Sequence, residues 1–127
     1  VDDERGLAAQ AGRGAPRWAF ARQHLFAPGG LLTTPITSGQ QWDSPNGWAP
    51  LQWIAVQGLR RYGFTDLAET LRLRWLATCD AVFAASGKFV EKYNVLDPLA
   101  VSGGGEYALQ DGFGWSNGVY LDLSDPA

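Results

Sequence analysis

The sequence contains few of the residues that carry metal, disulfide or nucleophilic chemistry. Its 127 residues include one cysteine, one histidine and no methionine. Cys79 alone cannot form an internal disulfide, and with His24 it is too small a ligand set for a zinc site. Ser-His-Asp catalysis would depend on His24, and no pattern places a nucleophilic serine near it. We therefore expect neither a metal ion nor a cofactor.

Basic runs and long apolar runs are also missing. A net charge of −3 without a cluster of Lys or Arg argues against nucleic acid as a partner. No apolar stretch approaches the length of a membrane-spanning helix, so no membrane partner is expected. A hydrophobic content of 46% against 18% charged residues predicts a folded core. The chain begins at Val1 without a signal-peptide pattern, and we expect a processed chain or a piece of something longer.

The most informative stretch runs from residue 40 to residue 53. It combines indole rings with small hydrogen-bonding side chains: Trp42, Trp48, Trp53, Gln40, Gln41, Asp43 and Asn46. Sugars present apolar C–H faces and a ring of hydroxyl groups, so they match aromatic walls with a few polar groups. Such pockets are typical of small-molecule sites. The alternative is that the tryptophans are large core residues beside an ordered turn.

Helical signals surround this stretch. A short helix is predicted over residues 15 to 26, and another from Trp48 or Ala49, with Pro50 in its first turn. Gly63 is a natural stop for that helix, and Thr65 is a candidate cap for the next one. The next helix is expected to end near Ser86 and Gly87, which makes the pair a helical hairpin.

Extended segments are predicted on either side of the hairpin. Residues 31 to 35 read as extended, and residues 88 to 91 alternate polar and apolar side chains. Glycines follow from 103 to 105, and a short last helix is predicted through residues 119 to 123. The chain alone therefore predicts hairpins of helices joined by long loops.

The order of residues in these segments resembles a known family. Residues 41 to 50 resemble the Gln-Trp-Asp-x-Pro-x-Gly-Trp-x-Pro signature of the trehalases of glycoside hydrolase family 37. The block from 103 to 119, which begins Gly-Gly-Gly-Glu-Tyr, is similar to a second motif of that family. Between them, Val-Glu-Lys-Tyr-Asn-Val at 90 to 95 resembles the segment with the family's catalytic base. The likeness runs from about residue 28 to residue 119.

The resemblance implies an all-α fold, an (α/α)6 barrel or six-hairpin toroid. Roughly four helices of ordinary length cannot build a barrel of twelve. We therefore expect residues 1–127 to be the C-terminal part of a single trehalase-like catalytic domain. The family's catalytic acid is an aspartate in an upstream motif, which residues 1 to 39 do not resemble. The remainder of the catalytic domain is the expected partner.

The resemblance also implies roles for individual residues. Glu91 matches the general base, and Glu106 matches a carboxylate that contacts substrate. Trp42 and Trp48 are expected to wall the sugar pocket. Asp43 is expected either to bind sugar or to cap the following helix. For Glu91, the alternative is a surface glutamate that forms a weak ion pair with Lys92.

Three further residues of the second motif receive weaker predictions. Asp111 is expected to organise the glycine-rich loop. Phe113 and Trp115 are secondary candidates for contact with sugar.

The implied activity is hydrolysis of α,α-trehalose to two glucoses with inversion at the anomeric carbon. Inverting glycosidases use one carboxyl group as acid and another as base, about 6.5–9.5 Å apart, with a water molecule between base and sugar. One alternative is an inverting hydrolase of another α-glucoside. The other is a catalytically incomplete, sugar-binding fragment.

Overall fold

The computed structural model describes residues 15–100, 108–112 and 114–126, and this part of the chain is mainly helical. It contains four helices, α1 (Ala15–His24), α2 (Ala49–Arg61), α3 (Thr65–Ser86) and α4 (Gly114–Ser124). Four strands of two or three residues accompany them: β1 (Phe26–Ala27), β2 (Gly30–Leu31), β3 (Asn46–Trp48) and β4 (Lys92–Asn94). The prediction of a mostly helical chain is confirmed for these residues.

Helix α2 begins and ends close to the predicted positions. Pro50 lies in its first turn, where an absent N–H costs no intrahelical hydrogen bond. Four of its residues are buried at helical spacing, namely Ala49, Gln52, Val56 and Leu59. The helix ends at Arg61, and the chain reverses through Gly63, whose φ of 82° is a left-handed conformation that favours glycine.

Helix α3 completes the predicted hairpin by packing against α2. The prediction that Thr65 caps it is wrong, because the N-cap residue is Phe64 and no side chain caps the helix. Phe64 is buried in the core, and its backbone carbonyl accepts a hydrogen bond from Ala68 N at 3.0 Å. Burial of this ring therefore sets the start of the helix. Gly87, with a φ of 71°, ends it as predicted.

The strands form two antiparallel pairs. In the first, Phe26 lies opposite Leu31 and Ala27 opposite Gly30. In the second, β3 and β4 pair so that Trp48 lies opposite Lys92. The predicted extended segment at 88 to 91 is displaced, since the ladder begins at Lys92 and only Val90 forms an isolated bridge, with Asp111. A ladder needs a partner strand, and β3 is aligned with residues 92 to 94.

Helix α4 closes the described part of the core against α2 and α3. It begins at Gly114, earlier than the predicted residue 119, and Leu123 near its end is fully buried. The Leu123 carbonyl accepts a hydrogen bond from Arg72 Nη1 at 2.7 Å, which ties α4 to α3. Within the described residues, the helices are too short or too polar to cross a membrane.

Candidate active site

The backbone around Glu91 is fixed by several hydrogen bonds from different segments. Glu91 N donates to the carbonyl of Gln110 at 3.0 Å, and the Glu91 carbonyl accepts from Trp115 Nε1 at 3.3 Å. Just before it, Val90 N donates to the Tyr93 hydroxyl at 3.1 Å, and the Val90 carbonyl accepts from Ser116 Oγ at 2.5 Å. These bonds come from both sides of the segment, so they hold Glu91 in one position.

The side chain of Glu91 is fully buried, with 0% of its surface exposed. Its Oε1 accepts a hydrogen bond from Gln41 Nε2 at 2.9 Å. Its Oε2 is also buried and has no hydrogen-bond partner within the described residues. The alternative of a surface glutamate is therefore wrong. A buried carboxylate oxygen without a donor is costly, which is why such atoms are rare outside functional sites.

The pairing of β3 with β4 brings the two halves of this contact together. Gln41 and Glu91 are 50 residues apart in sequence. Glu91 directly precedes β4 at the Trp48–Lys92 end of the ladder, whereas the segment with Gln41 enters β3 at the opposite, Asn46–Asn94 end. The turn that carries Gln41 therefore folds back along the paired strands to bring its amide to Glu91. Local sequence signals indicate only a hydrogen-bonding role for Gln41, because its partner lies beyond the whole helical hairpin.

A cluster of tryptophan rings lies beside Glu91, to which it is joined by the hydrogen bond from Trp115 Nε1. Trp42 and Trp48 are stacked, with ring centroids 3.7 Å apart and planes 15° apart. Trp115 meets both rings edge-on, at centroid distances of 6.3 and 5.8 Å. Trp42 is 39% exposed, whereas Trp48 is 1% exposed. The free face of this stack therefore belongs to Trp42, and Trp48 lies behind it.

Lys92 is an unexpected member of the site. Its side chain is fully buried, and its Nζ lies over the Trp48 ring, 5.8 Å from the centroid. Burial lowers the pKa of Lys92, and the neighbouring Glu91 carboxylate opposes that shift. The sequence indicated Lys92 only as a surface ion-pair partner of Glu91. Because a lysine in a half-exposed segment is normally solvated, no local signal predicts its burial.

Asp43 organises the turn that carries Gln41 and Trp42. Its Oδ2 accepts hydrogen bonds from Ser38 Oγ and from Ser38 N, the latter at 2.6 Å. The Ser38 hydroxyl, then the Ser38 backbone amide, lowers the pKa of Asp43. The proposed helix cap is wrong, since the N-cap of α2 is Trp48 and has no side-chain cap. A role of Asp43 in sugar binding stays a prediction.

The second motif is described only in part. Asp111 pairs with Val90 in the isolated bridge, and its carboxylate forms an exposed ion pair with Lys88 at 2.7 Å. It thus joins residues 110 to 112 to the segment before Glu91. Glu106 and Phe113 lie outside the described residues, so their predicted roles are not addressed by the structure. In the described ranges, no three His, Cys, Asp or Glu side chains are grouped closely enough to hold a metal ion.

Comparison with known proteins gives a consistent result. The trehalase family model matches residues 10–125. The chain is 62% identical over 102 residues to the periplasmic trehalase of Xanthomonas axonopodis pv. citri, which is 80% of this chain and 18% of that protein. It is 57% identical over 118 residues to the periplasmic trehalase of Pseudomonas aeruginosa, which is 93% of this chain and 22% of that protein.

A solved structure agrees with these sequence matches. The neutral trehalase of Saccharomyces cerevisiae is similar with a TM-score of 0.67 and 31% identity, over 89% of this chain and 20% of the yeast protein. The chain thus spans about a fifth of the length of the curated relatives that it matches. Because the family model covers nearly the whole chain and these relatives share more than half of the aligned residues, this chain belongs to the trehalase family.

Proposed function

We propose that the protein containing this chain hydrolyses α,α-trehalose to two glucoses with inversion, and that Glu91 is its general base. The observation that carries the proposal is the Glu91 carboxylate, which is buried, held at Oε1 by Gln41, and without a hydrogen-bond partner at Oε2 among the described residues. A general base needs a fixed oxygen that can take a proton from water. Oε2 of Glu91 is held in a fixed position, and no donor among the described residues competes for it.

The reaction needs a second carboxyl group from outside this chain. Water attacks the anomeric carbon while Glu91 Oε2 accepts a proton from it, and a C–O bond forms on the face opposite the leaving group. The glycosidic C–O bond breaks as an aspartic acid in the remainder of the catalytic domain donates a proton to the leaving oxygen. A base and an acid about 6.5–9.5 Å apart leave room for the water in this arrangement.

The tryptophan stack supplies a surface for the sugar. The exposed face of Trp42 suits the C–H face of a glucose ring. Trp48 stacks on the other face of the Trp42 indole and supports it. Asp43 and Glu106 are the remaining predicted contacts to sugar, and carboxylates can accept hydrogen bonds from hydroxyl groups. We assign these four residues to substrate binding, with Trp48 acting through Trp42.

The same proposal includes the complete fold. The α2–α3 hairpin is one helix pair of an (α/α)6 barrel, and residues 1–127 form the C-terminal part of its single catalytic domain. The remaining pairs come from sequence outside this chain, since the relatives named above are more than four times as long. Loops from several pairs would meet over Glu91.

Trehalose is the preferred substrate because the similar proteins are named as trehalases. The second candidate is hydrolysis of another α-glucoside, since part of the pocket lies outside this chain. Rates on trehalose, maltose and kojibiose separate the two candidates. The third is a sugar-binding protein without catalysis, which would bind trehalose in calorimetry and release no glucose from any form of the protein.

The decisive variant is Glu91→Gln in the full-length protein. We expect turnover of trehalose to fall by about 10²–10⁴-fold, with thermal unfolding unchanged, because the amide cannot accept the proton. Turnover at the wild-type rate would overturn the assignment of the base. Proton NMR of the first products tests the stereochemistry, because inversion releases one α- and one β-glucose, whereas retention releases α-glucose alone.

A further inference from the structure

We propose that Gln41 is the positioning residue of the base: its amide holds Oε1 of Glu91 and thereby makes Oε2 the oxygen that receives the proton from water. This inference rests on the proposed function of Glu91. It adds a residue with a defined task and identifies which of the two carboxylate oxygens reacts. In this role Gln41 acts through its contact with Glu91.

The contact is buried on both sides. Gln41 is 6% exposed and Glu91 is 0% exposed, and the Nε2–Oε1 distance is 2.9 Å. An ionised carboxylate can only accept hydrogen bonds, so the amide nitrogen of Gln41 must be the donor. The last torsion of a glutamate side chain is otherwise broad, with two equivalent orientations. One fixed oxygen removes that freedom, because the direction of the second oxygen then follows from the planar group.

The donor is held in place independently of Glu91. The turn around Gln41 is closed by hydrogen bonds from Asp43 N to the Gln40 carbonyl at 3.2 Å and from Ser44 N to the Ile36 carbonyl at 3.0 Å. The Asp43 carboxylate adds its two hydrogen bonds from Ser38. Gln41 is therefore presented to Glu91 by a turn with its own internal bonds, which is the usual support for a precisely placed group.

The test compares two buried glutamines in the full-length protein. Gln41→Met removes the amide at nearly constant volume, and we expect kcat for trehalose to fall by about 10- to 100-fold with little change in KM. A merely structural loss would not produce this split between kcat and KM. The control is Gln52→Met, since Gln52 is also fully buried but bonds only to the Leu31 backbone in the described residues. It should lower stability and leave kcat and KM unchanged.

Two further variants make the outcome decisive. Gln41→Glu keeps the volume and replaces the amide donor with a carboxyl group, so kcat should again fall with little change in KM. In a Glu91→Gln background, Gln41→Met should slow the reaction no further. A kcat at the wild-type value in both Gln41 variants, or a full additional loss in the double variant, would overturn the positioning role. The proposed function fails by a different result, namely turnover by Glu91→Gln at the wild-type rate.

Discussion

The indole ring of Trp42 lies flat on that of Trp48, and only the outer ring of the pair reaches solvent. This geometry separates two tasks that the sequence motif assigns to both residues alike. The inner ring fills the core, and the outer ring presents a face. The difference can be measured, because one substitution should act on stability and the other on substrate binding.

Trp48→Ala should lower the free energy of unfolding by about 3–5 kcal/mol, as expected for deletion of a fully buried large ring. Trp42→Ala should cost less stability and should raise KM for trehalose, because its exposed face is lost. Urea unfolding and steady-state kinetics on the full-length protein measure both effects. Equal losses of stability, with KM unchanged in Trp42→Ala, would contradict this division.

A second prediction concerns the close contact beneath β3. A Cβ added at Gly47 would lie 2.6 Å from Val95 Cγ1 and 3.0 Å from the Leu31 carbonyl. We therefore expect Gly47→Ala to destabilise the protein by about 1–3 kcal/mol through overpacking. The matched control is Gly58→Ala in α2, where nothing lies within 4 Å of an added Cβ. Alanine in a helix interior is favoured over glycine, so the control should gain about 0.5–1 kcal/mol. Denaturant midpoints that shift alike for the two variants would argue against the contact.

The third prediction follows from the lowered pKa of Asp43. A carboxyl group whose pKa is lower in the folded than in the unfolded state stabilises the fold above the unfolded value of about 3.9, and this contribution is lost as the pH falls through the folded value. The stability difference between wild type and Asp43→Asn should therefore be largest near neutral pH and shrink below about pH 4. Urea midpoints across this range measure it.

Ser38→Ala is the companion variant for that experiment, because the Ser38 hydroxyl donates to Asp43 and is the largest cause of its lowered pKa. Its effect should also fade on acidification. A difference between wild type and Asp43→Asn that stays constant from pH 7 to pH 3 would mean that the Asp43–Ser38 contact does not stabilise the charged form.

Local sequence signals predicted the helices well because their causes are local. Pro50 at the start of α2 and Gly87 at the end of α3 act through backbone conformations that a sequence shows directly. The N-cap of α3 was assigned to Thr65, one residue too late, because the burial of Phe64 depends on the rest of the core. Capping preferences are local, so they could not show that burial of Phe64 would determine the N-cap.

The sequence identified most residues of the candidate site, but it did not predict the contacts between them. The family resemblance pointed to Glu91, Trp42 and Asp43, but it could not tell the exposed ring of the stack from the buried one. The ladder of β3 with β4 has three residue pairs, too few to leave an alternating pattern in the sequence. The Gln41–Glu91 contact depends on that ladder, and so does the burial of Lys92.

The position of β3 and β4 on either side of the α2–α3 hairpin has a consequence for how the chain folds. Their pairing closes a loop that contains both helices. Closing such a loop in an unfolded chain costs conformational entropy, and this loss comes before the contacts between the strands can offset it. Contacts within a helical hairpin are mostly local and form more readily. Once the hairpin has formed, its two ends lie near each other, and little further loss of conformational entropy is needed to pair β3 with β4. We therefore expect Gln41 and Glu91 to meet after the hairpin has formed, so that the proposed catalytic carboxylate acquires its partner in chains that already contain both helices.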